Sequence, residues 1–321
     1  MGVGLWASGC GRDNVVLYCS VDEEFARAVI AEYEKRTGRQ IDVVFDSEAG
    51  KTTGLVRRIR AEGDHPRADL FWSSELINTV LLARDGLLAS YTPPTLDQIP
   101  PRYRDSQGRW TAVAVRARVL AYDPERVAVD TLPSMWEELA EPRWASQLAI
   151  ANPLFGTTRG HVAAMFALWG PKRGRAFLTG LRDHGAMVVD GNSTAVRKVM
   201  GGQVAMCMTD TDDVYAACRR GFNLELRYLD MGDGGTFTTP CSVALIQGAR
   251  HPAKARELYD YLISAEVEEQ LFRSTSGNVP IRQALRSRLG AELPPTSAVS
   301  YDAVADAMEE AVTAVREILI R

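Results

Sequence analysis

Between residues 15 and 90 the chain repeats one pattern: a short apolar run, a cluster of small or acidic residues, then apolar residues at helical spacing. "NVVLYCS" reads as a buried strand, and Ser20-x-x-Glu23 behind it reads as a capping box. That box opens a helix in which Phe25, Val29 and Tyr33 recur on one face, and Gly38 closes it. "IDVVF" supplies a second strand with Ile41, Val43 and Phe45 on one side. A basic-faced helix around Val56 and Ile59 leads to the strand "ADLFWSS", and a further helix through Leu82 stops at Gly86. Parallel neighbours need a crossover, and a helix is its usual form. The alternation therefore predicts the α/β class, a mostly parallel sheet covered by helices.

Two segments break the rhythm. "WTAVAVRARVLAYD", residues 110–123, is too long for an ordinary strand, and "GTFTTPCSVALI" is a second long extended stretch. Between them the strand–helix alternation restarts with "QLAIANP", "AMVVD", "QVAMCM" and "NLELRYLD". The pattern predicts two α/β lobes joined by two strands, hence a hinge and a cleft. The expected boundaries are 14–111 with 241–295 for a discontinuous first lobe and 112–240 for the second. The helix within 296–321 is left without an assigned packing partner. A chain of 321 residues is long enough to bury a core in each lobe.

Bulk properties exclude several functions. With a net charge of -4 and no long basic run, the chain offers nucleic acid no footprint. It contains no apolar stretch of about 18 residues, so no membrane-spanning helix is expected. The five cysteines, Cys10, Cys19, Cys207, Cys218 and Cys241, form no CxxC pair, which argues against a zinc ribbon or a thioredoxin-like centre. Cys10 stands in "LWASGCG", similar to a bacterial lipobox, with Ala7 where leucine is usual. A lipidated Cys10, a lipoprotein-like segment 1–13 and an extracytoplasmic home are the expectation; a stray cysteine is the alternative. Cys19 and Cys241 belong to strands that approach the cleft, where packing competes with soft-metal or redox roles.

In open α/β sheets ligands sit beyond the carboxyl ends of strands, so the turns there are the places to search. Gly156, Thr157 and Thr158 open one helix, and Asn192 and Ser193 another; free N–H groups and the helix dipole make both anion-binding candidates. Plain N-caps are the competing reading. "TDTDD", residues 209–213, is sharper. Asp210 fits an N-cap and Asp213 the third helical position, but Asp212 is then unexplained, because three acids repel unless something positive is near. Ser20 with Asp22 and Ser73, Ser74 with Glu75 occupy comparable turns. If these acids converge, the natural guest is a hard cation or an ammonium group. Arg116 and Arg118 share one face of the long strand; Arg116 is preferred as partner of a bound anion, with salt bridges to surface acids as the alternative. "EAGKTTG" fails as a P-loop because Phe45 stands where glycine is required. Neither HExxH nor GxSxG occurs, and His161 reads as structural.

Several blocks, "VLYCSVDEEFARAVIAEYEKRTG", "ADLFWSSE", "IANPLFGTT", "GNSTAVRKVMGGQVAMCMTDTDD" and "VALIQGARHPAKARELYDYLIS", resemble bacterial iron(III)-type ABC-transporter substrate-binding proteins, in order from about residue 14 to residue 280. The resemblance implies a type 2 periplasmic-binding-protein fold that closes on solute and delivers it to permease and ATPase subunits. It also marks departures. The family's two adjacent tyrosine ligands fall on Thr211 and Asp212, its histidine ligand on Asp22 and its glutamate ligand near Ser74, beside Glu75. The anion-binding turns at Gly156-Thr157 and Asn192-Ser193 are retained. The expected ligand set is thus Ser20, Asp22, Ser73, Ser74, Glu75, Arg116, Gly156, Thr157, Thr158, Asn192, Ser193, Asp210, Thr211 and Asp212. Asp22, Glu75 and Asp212 would hold a metal, iron or another hard cation, carried as cargo with a small anion. No catalytic residue and no catalytic cofactor is expected. A small zwitterionic or anionic solute such as a phosphonate, a metal-dependent enzyme, and a sensor of the same fold are the alternatives.

Overall fold

A computed structural model of the chain describes residues 14–46 and 53–320. Cys10 and the segment 1–13, and most of the "EAGKTTG" turn including Lys51, lie outside the described residues. The first elements are β1 (Val15–Cys19), α1 (Glu23–Thr37), β2 (Ile41–Phe45), α2 (Thr53–Glu62), β3 (Leu70–Ser73), α3 (Leu76–Arg84) and β4 (Leu88–Ala89). Then follow β5 (Thr111–Tyr122), α4 (Pro142–Ala145), β6 (Leu148–Ala151), α5 (Gly156–Trp169), α6 (Pro171–Asp183), β7 (Met187–Val189) and α7 (Asn192–Met200). The rest are β8 (Met206–Asp210), α8 (Thr211–Arg219), β9 (Glu225–Arg227), β10 (Thr238–Ile246), α9 (Pro252–Leu262), α10 (Ala265–Arg273), α11 (Gln283–Leu289) and α12 (Tyr301–Ile318).

The strand order is β2-β1-β3-β10-β5-β8-β6-β7, with β4 beside β10 and β9 beside β5. β1 runs parallel to β2 and β3, and β6 runs parallel to β7 and β8. These two parallel wings are the βαβ units the alternation predicts. Between them β10 and β5 are antiparallel to each other and to their outer neighbours. β5 is buried along all twelve residues and changes partner midway: Thr111–Ala117 face β10, whereas Arg118–Tyr122 face β8. The long strand does cross from one wing to the other. At the crossing the β10 register shifts between Pro240 and Ser242, and Ala114 takes a positive φ of 93°. A bulge bends a strand, and this one lies shortly before β5 changes partner.

Helices cover both faces. α1, α9 and α10 bury Val29, Tyr33, Leu258, Leu262 and Leu271 on one side of the first wing. α2, α3, α5, α6 and α12 enclose a core containing Phe71, Trp136, Phe166 and Met308. α7 and α8 close a smaller core against Val119, Ala149 and Cys207. Gly38 ends α1 in the left-handed region, φ 69°, as its position after the helical pattern predicts. The Ser20–Glu23 capping box does not form. α1 begins at Glu23 behind Asp22 with no side-chain cap bond, and Ser20 Oγ instead accepts the Ser74 N–H at 3.0 Å. Ser20 is buried beside the end of β3, so satisfying that enclosed amide outweighs a cap that water can replace.

α12 lies across α5, α6 and α3, and Arg84 at the end of α3 holds Asp302 and Asp306 at 3.0 and 2.7 Å. The chain reaches α12 through a close backbone approach: Thr236 bridges Thr296, and a Cβ added to Gly235 would sit 2.3 Å from the Thr296 carbonyl carbon. Gly235→Ala is therefore expected to destabilise the fold by about 2 kcal/mol or more, read as a lowered midpoint in urea or thermal unfolding.

Candidate functional site

The long strand delivers two guanidinium groups to one place. Residues two apart on a strand point to the same face, so Arg116 and Arg118 both face the end of β8 and the start of α8. Arg118 is wholly buried. Its Nη1 donates to Asp210 Oδ1 at 2.8 Å and to Thr157 Oγ1 at 3.1 Å, its Nη2 to Thr158 Oγ1 at 3.3 Å, and its Nε to His161 Nδ1 at 3.3 Å. Asp210 Oδ2 accepts from Thr157 Oγ1 at 2.6 Å and from Asn192 Nδ2 at 3.0 Å. Thr158 Oγ1 donates to Asn192 Oδ1 at 3.3 Å. Burial alone would raise the Asp210 pKa; Arg118 and Arg116 outweigh it and hold the carboxyl below its usual range. The ion pair thus ties β5, β8 and the first turns of α5 and α7 into one unit.

That arrangement corrects the N-cap reading of Asp210. It occupies the cap position of α8, but its carboxylate makes no cap bond. The oxygens go to Arg118, Thr157 and Asn192 instead, because an enclosed guanidinium left unpaired costs far more than a helix start left to weaker partners. The hydroxyls of Thr157 and Thr158 and the Asn192 amide likewise serve this network.

Arg116 is the outer member. Its Nη1 donates to Asp212 Oδ2 at 2.8 Å, its Nη2 to the Ser74 carbonyl at 2.9 Å, and its Nε lies 3.5 Å from Asp210 Oδ2. One side chain therefore links the end of β3 to the start of α8. Ser73 Oγ donates to the Glu75 carbonyl at 2.6 Å, and Ser20 Oγ holds the Ser74 amide, so the β3 turn is rigidly built. Asp213 Oδ2 accepts from Thr209 Oγ1 at 2.7 Å, and Asp212 Oδ1 accepts the Asp213 N–H at 3.1 Å. One oxygen from each of Asp210, Asp212 and Asp213 falls within 4.8 Å of the others. Burial, reinforced by the charges of Asp210 and Asp22 and opposed by Arg116, pushes Asp212 up to about 6. Burial followed by Asp212 and Asp210 pushes Asp213 up to about 7. Asp22, reaching in from the first wing, is felt by both. Hard oxygen donors whose charge is made costly by burial and by one another are donors that a multivalent cation would relieve.

Other expected residues have different surroundings. Glu75 is buried and caps α3, its carboxylate accepting the N–H groups of Ile77 at 2.8 Å and Asn78 at 3.1 Å. Its expected role as a metal ligand competes with this capping, since both oxygens already meet amides of the first helical turn. Thr211 Oγ1 faces the Ala117 N–H at 3.4 Å and ties α8 to β5. Gly156 is the first residue of α5, and Ser193, one residue into α7, is exposed. His161 is structural, as read: it stacks parallel to Phe237 with centroids 5.8 Å apart and meets Trp136 edge-on at 4.4 Å. The sequence reading gave Arg118 second place and left Asp213 out of the ligand set. The same-face spacing of the two arginines was the available signal, but which of them is enclosed depends on α5.

Two measurements follow. Arg118→Leu strands Asp210 in the interior and is expected to cost about 3–5 kcal/mol of stability in urea unfolding. Burial and the Arg118 charge hold His161 well below its ordinary pKa, so the unfolded chain takes up the proton first as pH falls. Stability should fall below about pH 6.5, at up to about 1.4 kcal/mol per pH unit. His161→Gln should lack that contribution when unfolding free energies at pH 7 and pH 5.5 are compared.

The chain is 26% identical over 267 residues to the "Fe(3+)-binding periplasmic protein" of Serratia marcescens, covering 80% of this chain and 76% of the relative. The ferric binding protein from Campylobacter jejuni superposes with a TM-score of 0.86 at 19% identity, over 96% of this chain and all of the other, 100%. The periplasmic binding protein AfuA from Actinobacillus pleuropneumoniae, solved with fructose-6-phosphate bound, superposes with a TM-score of 0.81 at 18% identity, covering 95% of this chain and 98% of that one. These likenesses establish the two-lobed fold. Residues 67–300, well over half of the chain, match the family described as bacterial extracellular solute-binding protein, and the chain belongs to that family.

Proposed function

We propose that this protein is the solute-binding component of an ABC importer, capturing a hard metal ion of the ferric type, with a small anion, in the cleft between its lobes. It works outside the cytoplasm, in the periplasm or at the cell surface, and hands its cargo to permease and ATPase subunits without chemical turnover. The observation that carries the reading is the crowded carboxylate pair Asp212 and Asp213, with oxygens within 4.8 Å of each other and of Asp210 at the end of β8. The names of the Serratia and Campylobacter proteins support the choice of iron. Asp212 stands where the resemblance places a tyrosine, so carboxylate replaces phenolate; both are hard anionic oxygens suited to a ferric ion.

The proposed lobes are 14–111 with 241–295 and 112–240, with α12 spanning both; the partner exchange inside β5 supports a boundary there. Asp22 would contribute to the metal from the first lobe, and Asp212 with Asp213 from the second. Asp210 stays with Arg118, and Thr157, Thr158 and Asn192 hold it in place. Closure favours the bound state only if the cargo touches both lobes, and Arg116, which links Ser74 to Asp212, must yield the latter to an arriving cation. The "LWASGCG" pattern supports a lipid anchor on Cys10.

A second reading keeps the fold and changes the guest. Two buried arginines beside helix starts suit an anionic or zwitterionic organic solute, and the structural neighbour holding fructose-6-phosphate supports that chemistry. Native mass spectrometry with elemental analysis of freshly purified protein separates the two. Iron at one equivalent, with calorimetric binding of ferric citrate, supports the metal. An organic phosphate retained without metal overturns it in favour of the second reading. Under the metal reading Asp212→Ala should weaken ferric binding tenfold or more and Asp213→Ala less, the former being the acid that Arg116 links to Ser74 of the first lobe.

A further inference from the structure

We infer that Arg57, Arg60, Arg159 and Arg316 form a docking face for an acidic protein partner, on the helical layer made by α2, α3, α5 and α12. None of the four belongs to the expected ligand set, so the face goes beyond solute capture. It rests on the transport reading in one respect only, that the partner is the protein receiving the cargo.

α2 buries Leu55, Val56 and Ile59, which turns its arginines outward. Arg57 and Arg60, three apart, share one face of the helix. Arg58 is already occupied, bonding Glu62 at 3.0 Å and lying over the Tyr18 ring at 4.7 Å. Arg60 Nε meets Asp85 Oδ2 at 2.7 Å, with both side chains exposed. α12 buries Met308, Ala311, Val315 and Ile318 and leaves Arg316 exposed, while the neighbouring Glu317 is held by Arg175. Among the described residues neither Arg57 nor Arg316 has an ion-pair partner. Arg159, in the first turn of α5, is half-buried, and its Nη1 donates to Asn78 Oδ1 of α3 at 3.2 Å. Burial lowers its pKa, and Arg60, Arg316 and Arg57 lower it further against the pull of Glu75. The four guanidinium groups thus feel one another as one cluster. Glu75 is buried with both oxygens on the Ile77 and Asn78 amides, so its carboxylate does not reach the surface.

In a chain of net charge -4, arginines gathered on one face are a local excess of the minority sign. Like charges held together repel until a counter-charge arrives, and they steer an oppositely charged surface toward themselves. A guanidinium presents a planar fork that takes a carboxylate by two parallel hydrogen bonds. Asp85 already pairs with Arg60, but an exposed pair is weak, so an arriving carboxylate displaces it at little cost. Arg159 lies deeper than its neighbours, where a protruding aspartate or glutamate side chain reaches it and a flat bilayer surface does not. That depth selects a protein over a membrane. α2 belongs to the proposed first lobe and α5 to the second, so a partner gripping all four arginines holds both lobes at once.

The test uses the full chain. Binding of a fluorescent fifteen-residue glutamate peptide is followed by anisotropy at low and physiological salt, and binding of ferric citrate by calorimetry. The double variant Arg57→Ala with Arg316→Ala should bind the peptide about tenfold more weakly. Its ferric citrate affinity and Tm should match wild type, both residues being exposed and outside the ligand set. A control, Arg197→Ala with Arg220→Ala, removes the same charge from the ends of α7 and α8 and should stay within about twofold of wild type. Equal losses in the two double variants mark net charge alone and overturn the face, as does a wild type that ignores the peptide. Phosphatidylglycerol vesicles bound through these arginines, with the peptide ignored, overturn the protein partner in favour of a membrane. In cells whose only copy carries Arg57→Glu with Arg316→Glu, ferric citrate uptake should fall at least tenfold while the purified variant binds ferric citrate like wild type. Unchanged uptake overturns the docking role. Wild-type cells that take up no ferric citrate overturn the transport reading instead, and the face is then decided by the peptide.

Discussion

A guanidinium and a carboxylate taken wholly out of water are the costliest pair a fold can enclose, and Arg118 with Asp210 is such a pair. It is tolerable only because the charged groups themselves are hydrogen-bonded on several sides. Thr157, Thr158, Asn192 and His161 complete the set, drawing one residue or more from α5 and α7 to the strands β5 and β8. Remove one partner and the rest face an uncompensated charge. The network therefore fixes where the first turns of α5 and α7 stand against β5 and β8.

The outer shell of charge is deliberately less settled. Arg116 bonds to Ser74 on one wing and to Asp212 on the other, while among the described residues the Asp213 carboxylate accepts from the Thr209 hydroxyl alone. Asp212 and Asp213 are pushed up to about 6 and about 7 by burial and by one another. The inner pair is satisfied and rigid; the outer acids are crowded and only partly matched. A binding protein needs this division, since the closed state is favoured only as far as the solute improves what the protein offers itself. The bend at Ala114 and the shifted register at Pro240 lie in the strands that carry these groups, so movement of the lobes and rearrangement of the site share one set of residues.

Much of this was legible in the residue order. The strand–helix alternation, the end of α1 at Gly38 and the unusual length of β5 all follow from local periodicity and backbone preference, and each stands as read. The site was legible as a set of turns and not as a set of roles. Ser20 looked like a cap and holds the Ser74 amide; Glu75 looked like a metal ligand and caps α3; Asp210 looked like a cap and pairs with Arg118. In each case the residue type was right for two jobs; for Ser20 and Asp210 the choice turned on a partner 54 and 92 positions away, whereas Glu75 meets amides two and three residues on. That Arg159 and Arg316 join the arginines of α2 gave no signal at all, because the grouping of charges is a property of what surrounds them.

By itself the sequence determined the α/β class, the two long strands that join the wings, and the concentration of acids and hydroxyls after strand ends. Those properties depend on spacing and propensity, which act over a few residues. The tertiary structure alone decided which acid is neutralised, which arginine is enclosed, and which polar groups remain for a guest. Charge and hydrogen-bond partners act through space, and only the packing of β5 between β10 and β8 brings them within reach of one another.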